Sequence, residues 1–120
     1  MRGSAMIFLR AVWAMCLMAL VSGAVHAAEH RVVIHHMELQ AIEGVKHVGD
    51  VVIFDNQSDM AHNLYITYPD GTVDNLDTQV PGTQRKLTLR QAGPAVVRCW
   101  IHPIIKAEFE ILPASAAQKP

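Results

Sequence analysis

The chain is poor in charge, in aromatics and in cysteine. Charged residues are 18% and aromatics 6% of its 120 residues. No basic stripe runs along it, which argues against a nucleic-acid partner. The cysteines number two, Cys16 and Cys99. Cys16 lies in an apolar run near the start, so the rest of the chain holds one thiol and no internal disulfide can staple it. No amphipathic helix of ordinary length is visible, which sets aside a helical bundle. No internal repeat or heptad pattern is present either. Beyond residues 11–21 there is no long apolar run.

Arg2 and Arg10 flank the beginning of that run, which ends in small residues, with Val25 and Ala27 at the positions a signal peptidase inspects. It reads as a secretory signal over residues 1–27. It is short for a membrane span, which takes roughly 20 apolar residues. An uncleaved anchor is the alternative. Trp13-Ala14-Met15 before Cys16 is too bulky for a lipid-attachment signal. Cleavage near Ala27 leaves about 93 residues, a single small domain over 28–112 with a frayed tail at 113–120, expected in the periplasm as a monomer free of the membrane. This part carries eight Lys and Arg against eleven Asp and Glu, about −3. A lone exported thiol is chemically exposed, because such compartments oxidise it. Metal ligation or burial resolves this.

Short β-rich runs follow one another between turn formers. Residues 31–38 and 41–47 read as strands, then Val48-Gly49-Asp50 as a turn. Residues 51–54 are the clearest apolar strand, ended by the polar turn formers at 55–59. Residues 62–68 alternate, with Leu64 and Ile66 inward and Tyr65 and Tyr68 expected at the sheet surfaces. Residues 72–82, rich in acids, Asn, Pro and Gly, read as a surface loop with at most a turn of helix. Strands follow at 84–90, 95–99 and 108–112, with Gln91-Ala92-Gly93-Pro94 as a turn. About seven to eight short strands with evenly spaced turns predict an all-β antiparallel sandwich. His35 and His36, adjacent on a strand, should point to opposite faces, one exposed and one half-buried. His35 and Met37 would share a face, a weak second copper site.

Cys99 and His102 stand three positions apart where one strand ends, and His62 starts another. A sandwich gathers strand ends at its poles. One thiolate and two imidazoles make a trigonal set that suits copper and carries electron transfer, because strand ends move little between oxidation states. Pro103 stiffens the return loop. Zinc is the competing metal, and His2Cys with a water is an acceptable zinc site. No catalytic acid or base is identifiable beside it, Asp59 being the nearest in sequence. Cys99 activated by His102 as a nucleophile lacks an orienting third group.

Val48-Gly49-Asp50, Ala61-His62-Asn63, Gln91-Ala92-Gly93 and Cys99-x-x-His102-Pro103 together resemble the cupredoxins, the small blue copper proteins of the amicyanin and plastocyanin type. The resemblance spans roughly 32–112. It implies a Greek-key β-sandwich and one copper ion, Cu(I)/Cu(II), held by His62, Cys99 and His102. It also implies one-electron shuttling between redox partner proteins, not enzyme catalysis. Asn63 matches a residue that ties the two ligand loops together, and His102 would be the exposed edge through which electrons leave. The family's axial Met is missing, and Ile105 stands in its place. Ile105 is then a non-ligating axial residue; or the Ala61 carbonyl, a water or Met37 fills the gap; or the site has drifted to copper handling or lapsed into an interaction domain. Trp100 beside Cys99 is a packing or lid residue, or an electron exit. Lys106 falls near the same pole.

Overall fold

In the computed structural model, which describes residues 27–115, alternation builds the core. Nine strands form in the order β1 (Glu29–His35), β2 (Glu38–Leu39), β3 (Lys46–His47), β4 (Val51–Asn56), β5 (His62–Thr67), β6 (Val73–Gln79), β7 (Gln84–Thr88), β8 (Gly93–Cys99) and β9 (Lys106–Leu112). They make two sheets, β2-β1-β4-β7 and β3-β9-β8-β5-β6. Each of β4 to β5, β6 to β7 and β7 to β8 crosses between sheets, and β8 inserts between β9 and β5. This is the Greek-key sandwich that the sequence resemblance implies. Two pairings depart from the antiparallel expectation: β1 runs parallel to β4, and β3 parallel to β9.

Every second residue of β5 is buried, His62, Leu64 and Ile66. Leu64 and Ile66 meet Val32 and Ile34 of β1, Val52 and Phe54 of β4, and Val97 of β8 in one core. Each such side chain contributes about 1.5–3 kcal/mol when fully removed from water. Gly93 opens β8 at φ +115°, and a Cβ there would stand 2.7 Å from Pro69 Cγ. Only glycine fits that backbone and that gap. Tyr68, expected at the surface, is buried instead. Its hydroxyl donates to Asp74 Oδ2 at 2.9 Å, while the Arg90 guanidinium lies over its ring. Tyr65 does face outward, half-buried.

Three local expectations are corrected. The stretch 72–82 is not a loop, since it holds β6. Its inward residues, Leu76 and Gln79, stand three apart because a bulge with Asp77 at φ 61° interrupts the alternation. The strand expected over 41–47 shrinks to Lys46–His47. The first strand ends at His35, where His36 at φ 47° and Met37 form the two-residue connection to β2. His35 and His36 are therefore both exposed, and His35 and Met37 share no strand face. Residues 113–115 carry no regular structure. The signal assigned to 1–27, except Ala27, and the tail beyond 115 lie outside the described residues. Among the described residues, no helix is long and apolar enough to cross a membrane.

Candidate metal centre

The register of two neighbouring strands brings two of the predicted ligands together. Cys99, the last residue of β8, pairs with Leu64 of β5. His62 lies two residues before Leu64, on the same buried face. The imidazole and the thiol thus meet at one pole though 36 positions separate the two loops in sequence. Beyond Cys99 the chain turns through His102-Pro103-Ile104-Ile105. The Ile105 N–H donates to the His102 carbonyl at 3.0 Å, a β-turn with proline second, where its fixed φ is wanted. This turn carries His102 back to Cys99, with Nδ1 3.8 Å from Sγ. The His62 and His102 rings stand 4.9 Å apart, tilted by 57°.

One donor atom from each of His62, Cys99 and His102 lies within 4.8 Å of the others. Among the described residues this is the one such cluster found from His, Cys, Asp and Glu. The backbone of Asn63 fastens it. Its N–H points to Cys99 Sγ at 3.4 Å, and its carbonyl accepts from the Trp100 N–H at 2.9 Å. The two ligand loops are tied as expected, through main chain.

Buried polar residues behind His62 were not singled out in the sequence. Ser58 Oγ stands 2.9 Å from His62 Nε2. The hydroxyl has one hydrogen, and its shortest contact is Asn56 Oδ1 at 2.6 Å. Giving that hydrogen to Asn56 leaves Oγ to accept from Nε2–H, so Nδ1 carries the bare lone pair. Nδ1 is buried and has no hydrogen-bond partner. Asn56 Nδ2 in turn donates to the carbonyls of Met60 and Gln79, and Gln79 is the register partner of His62. Ser58 and Asn56 read as turn formers because their types suit turns as well as networks; Gln79 was hidden by the bulge in β6. Burial, then the nearby His102 ring, holds the His62 pKa below its usual 6.5, with the His36 backbone opposing. The ring is therefore neutral at pH 7, the form a metal needs.

The donors fit a soft ion. A thiolate at about 2.3 Å and an imidazole at about 2.0 Å from one ion, at 120° to each other, are about 3.7 Å apart, against the 3.8 Å between Cys99 and His102. Ile105, in the axial position of the resemblance, is buried and apolar. Met37 approaches this loop, lining an open hollow with Ile104, Ile105 and Lys106. Asp59 is exposed and pairs with His36 at 3.3 Å, so it is no helper for hydrolysis at the centre. Cys99 is itself buried, which suits a ligand better than a nucleophile awaiting substrate.

No described family's sequence profile matches the chain. It is 53% identical over 95 residues to the methylamine utilization protein MauL of Methylorubrum extorquens, covering 78% of this chain and 83% of that protein. The chain belongs to the MauL family. The MauL protein of Methylophilus methylotrophus is 39% identical over 85 residues, but there the match covers 49% of the relative. Among solved structures this MauL-family chain is similar to amicyanin of Paracoccus versutus, with TM-score 0.60 and 20% identity over 75% of this chain and 85% of that one. A Cu(I) form of an amicyanin variant matches with TM-score 0.60 and 21% identity, over 75% and 86%. The fold is that of the cupredoxins, without a methionine at the axial position.

Proposed function

We propose that this protein is an exported type 1 copper protein that carries single electrons between protein partners. What supports this most is the buried, unpartnered Nδ1 of His62 beside Cys99 Sγ and His102 Nδ1 in a cupredoxin fold. Bound copper would supply a one-electron Cu(I)/Cu(II) couple. The chain's own residues do the rest. Ser58 fixes the His62 tautomer, the Asn63 N–H steadies the sulfur, and the Pro103 turn holds His102. Ligands anchored this way move little, which keeps reorganisation small. Ile105, at the axial position of the resemblance, would offer copper no side-chain donor of its own.

The half-buried His102 lies in an apolar rim of Ile101, Pro103 and Ile104, the last 76% exposed. That rim is our candidate contact for a redox partner, with the protein acting as a monomer and not as an enzyme. The relatives' name ties them to methylamine utilization, and we assign the electrons carried here to that process. Arg2 and Arg10 ahead of the apolar run at 11–21 support a periplasmic setting for that work.

Loading the purified protein with Cu(II) tests the reading. An intense band near ~600 nm, lost in Cys99→Ser, is the expected signature of a copper–thiolate centre. A colourless protein that retains Cu(I) would instead mark a copper-handling role. No retained copper would mark an interaction domain.

A further inference from the structure

We infer that Asp50 is the receptor for the α-amino group that signal removal creates: cutting after Ala27 turns the Ala28 amide into an ammonium ion paired with that buried carboxylate. This rests on the export reading above and gives the cleavage point a role in the folded protein.

Asp50 closes the turn before β4 and is only 1% exposed. A carboxylate that deep in a fold needs donors around it. From β3, the His47 N–H donates to Oδ2 at 2.9 Å, and the His47 ring nitrogen Nδ1 stands 3.9 Å from the same oxygen. From β1, His30 Nε2 lies 2.9 Å from it. The other oxygen, Oδ1, accepts from the Ala28 N–H at 3.2 Å, the long end of the ordinary range.

Main-chain pairing fixes that nitrogen in place. The Ala28 carbonyl accepts from the Val51 N–H at 2.9 Å, and the next residue, Glu29, opens the parallel pairing of β1 with β4 opposite Val51. Ala27 and Ala28 are both exposed, so the bond between them stands outside the core. It is also the bond that the signal pattern selects, with Val25 and Ala27 at the inspected positions. A cleavage pattern in the sequence and a buried carboxylate in the fold therefore meet at one atom, Ala28 N.

The step balances with water alone. The C–N bond between Ala27 and Ala28 breaks, and the hydroxyl of water goes to the Ala27 carbonyl carbon. The nitrogen gains one proton from that water and a second from the new carboxyl group. An amide has one hydrogen to give, whereas the ammonium has three and a full charge. Hydrogen bonds between ionised groups are about twice as strong as neutral ones. The mature chain is then clasped at its first residue by an ion pair that the uncut chain cannot make there.

The test exports the full chain in a bacterial host and weighs the periplasmic product, which should begin at Ala28. A second chain carries one threonine inserted between Ala27 and Ala28, a residue too large for the peptidase to cut after. Its product should begin at that threonine, which moves the ammonium one residue away and returns the Ala28 nitrogen to an amide. At pH 7, urea unfolding of the metal-free proteins should give the Ala28 form an unfolding constant at least about fivefold smaller. A cation's contribution is present while it holds its proton, so the gap should close as pH rises from 7 toward about 10, through the range where α-amino groups deprotonate. The other charged or titrating groups near this end, Glu29, His30, His47, Asp50 and Lys46, on which the Asp50 charge acts, are common to both forms, so the gap reports the α-amino group. Asp50→Asn should erase it at pH 7, and the pH series decides the pairing even where that variant fails to fold. Equal stability of the two forms at pH 7, or a gap that persists at pH 10, overturns the pairing. A product that begins elsewhere overturns it while the export reading stands, and a product that keeps residues 1–27 sinks both.

Discussion

Ser58→Ala is the sharpest probe of how the centre is held. The hydroxyl contacts four groups, but three of them keep a partner or lose little. Asn56 Oδ1 still accepts from the Ser58 N–H at 3.0 Å. The Met60 carbonyl still accepts from Asn56 Nδ2 at 3.0 Å. The Met60 N–H gives up only a long 3.3 Å contact. His62 Nε2 alone is left buried without its partner. A buried donor left unsatisfied costs about 1–3 kcal/mol, so the metal-free variant should unfold at lower urea by that amount, with an unchanged slope. The freed imidazole can also present the wrong tautomer. Loss of such an outer partner typically lowers metal affinity about 10–100-fold. Urea unfolding of the metal-free protein and competition for copper against a chelator measure the two effects separately. A variant within about 0.5 kcal/mol of the parent, an ordinary surface effect, with unchanged copper affinity would refute the reasoning.

Other outcomes follow from the same geometry. Gly93→Ala should destabilise by more than about 1 kcal/mol, since it combines a positive φ with a 2.7 Å approach to Pro69; chemical denaturation checks it. The Tyr68 hydroxyl is pushed up to about 12 by burial, then by its bond to Asp74. Its raised pKa contributes stability that is complete below the ordinary value of 10.0 and lost as pH climbs toward 12, so Tyr68→Phe should flatten alkaline unfolding across that window. The His62 pKa is lowered, chiefly by burial. Its contribution is complete above the ordinary 6.5 and is lost as pH falls below it, so the metal-free protein should melt at progressively lower temperature in mild acid. Ile105→Met should lower the reduction potential of the copper-loaded protein by restoring an axial thioether; voltammetry reads the change.

Much of the fold was legible because burial follows alternation. β4, β5 and β8 carry inward apolar residues at a period of two, and their turns carry the expected formers. Where the period broke, the reading broke with it. The bulge at Asp77 hid β6, and the turn at His36 ended β1 before the histidine pair could straddle a strand. Tyr68 was misplaced because neither its strand nor its type says that Asp74 and Arg90 will receive it.

The sequence by itself determined the sandwich and the three donor types, since side-chain chemistry and periodicity are local properties. Spacing alone could also set Cys99 and His102 near each other, with Pro103 shaping the turn between them. Only the tertiary structure decided that His62 joins them, because that depends on the register between β5 and β8. It also decided which nitrogen of His62 is free, through a buried hydroxyl, and that Trp100, Tyr65 and Arg98 share one face. These are relations between strands distant along the chain, and no local pattern encodes them.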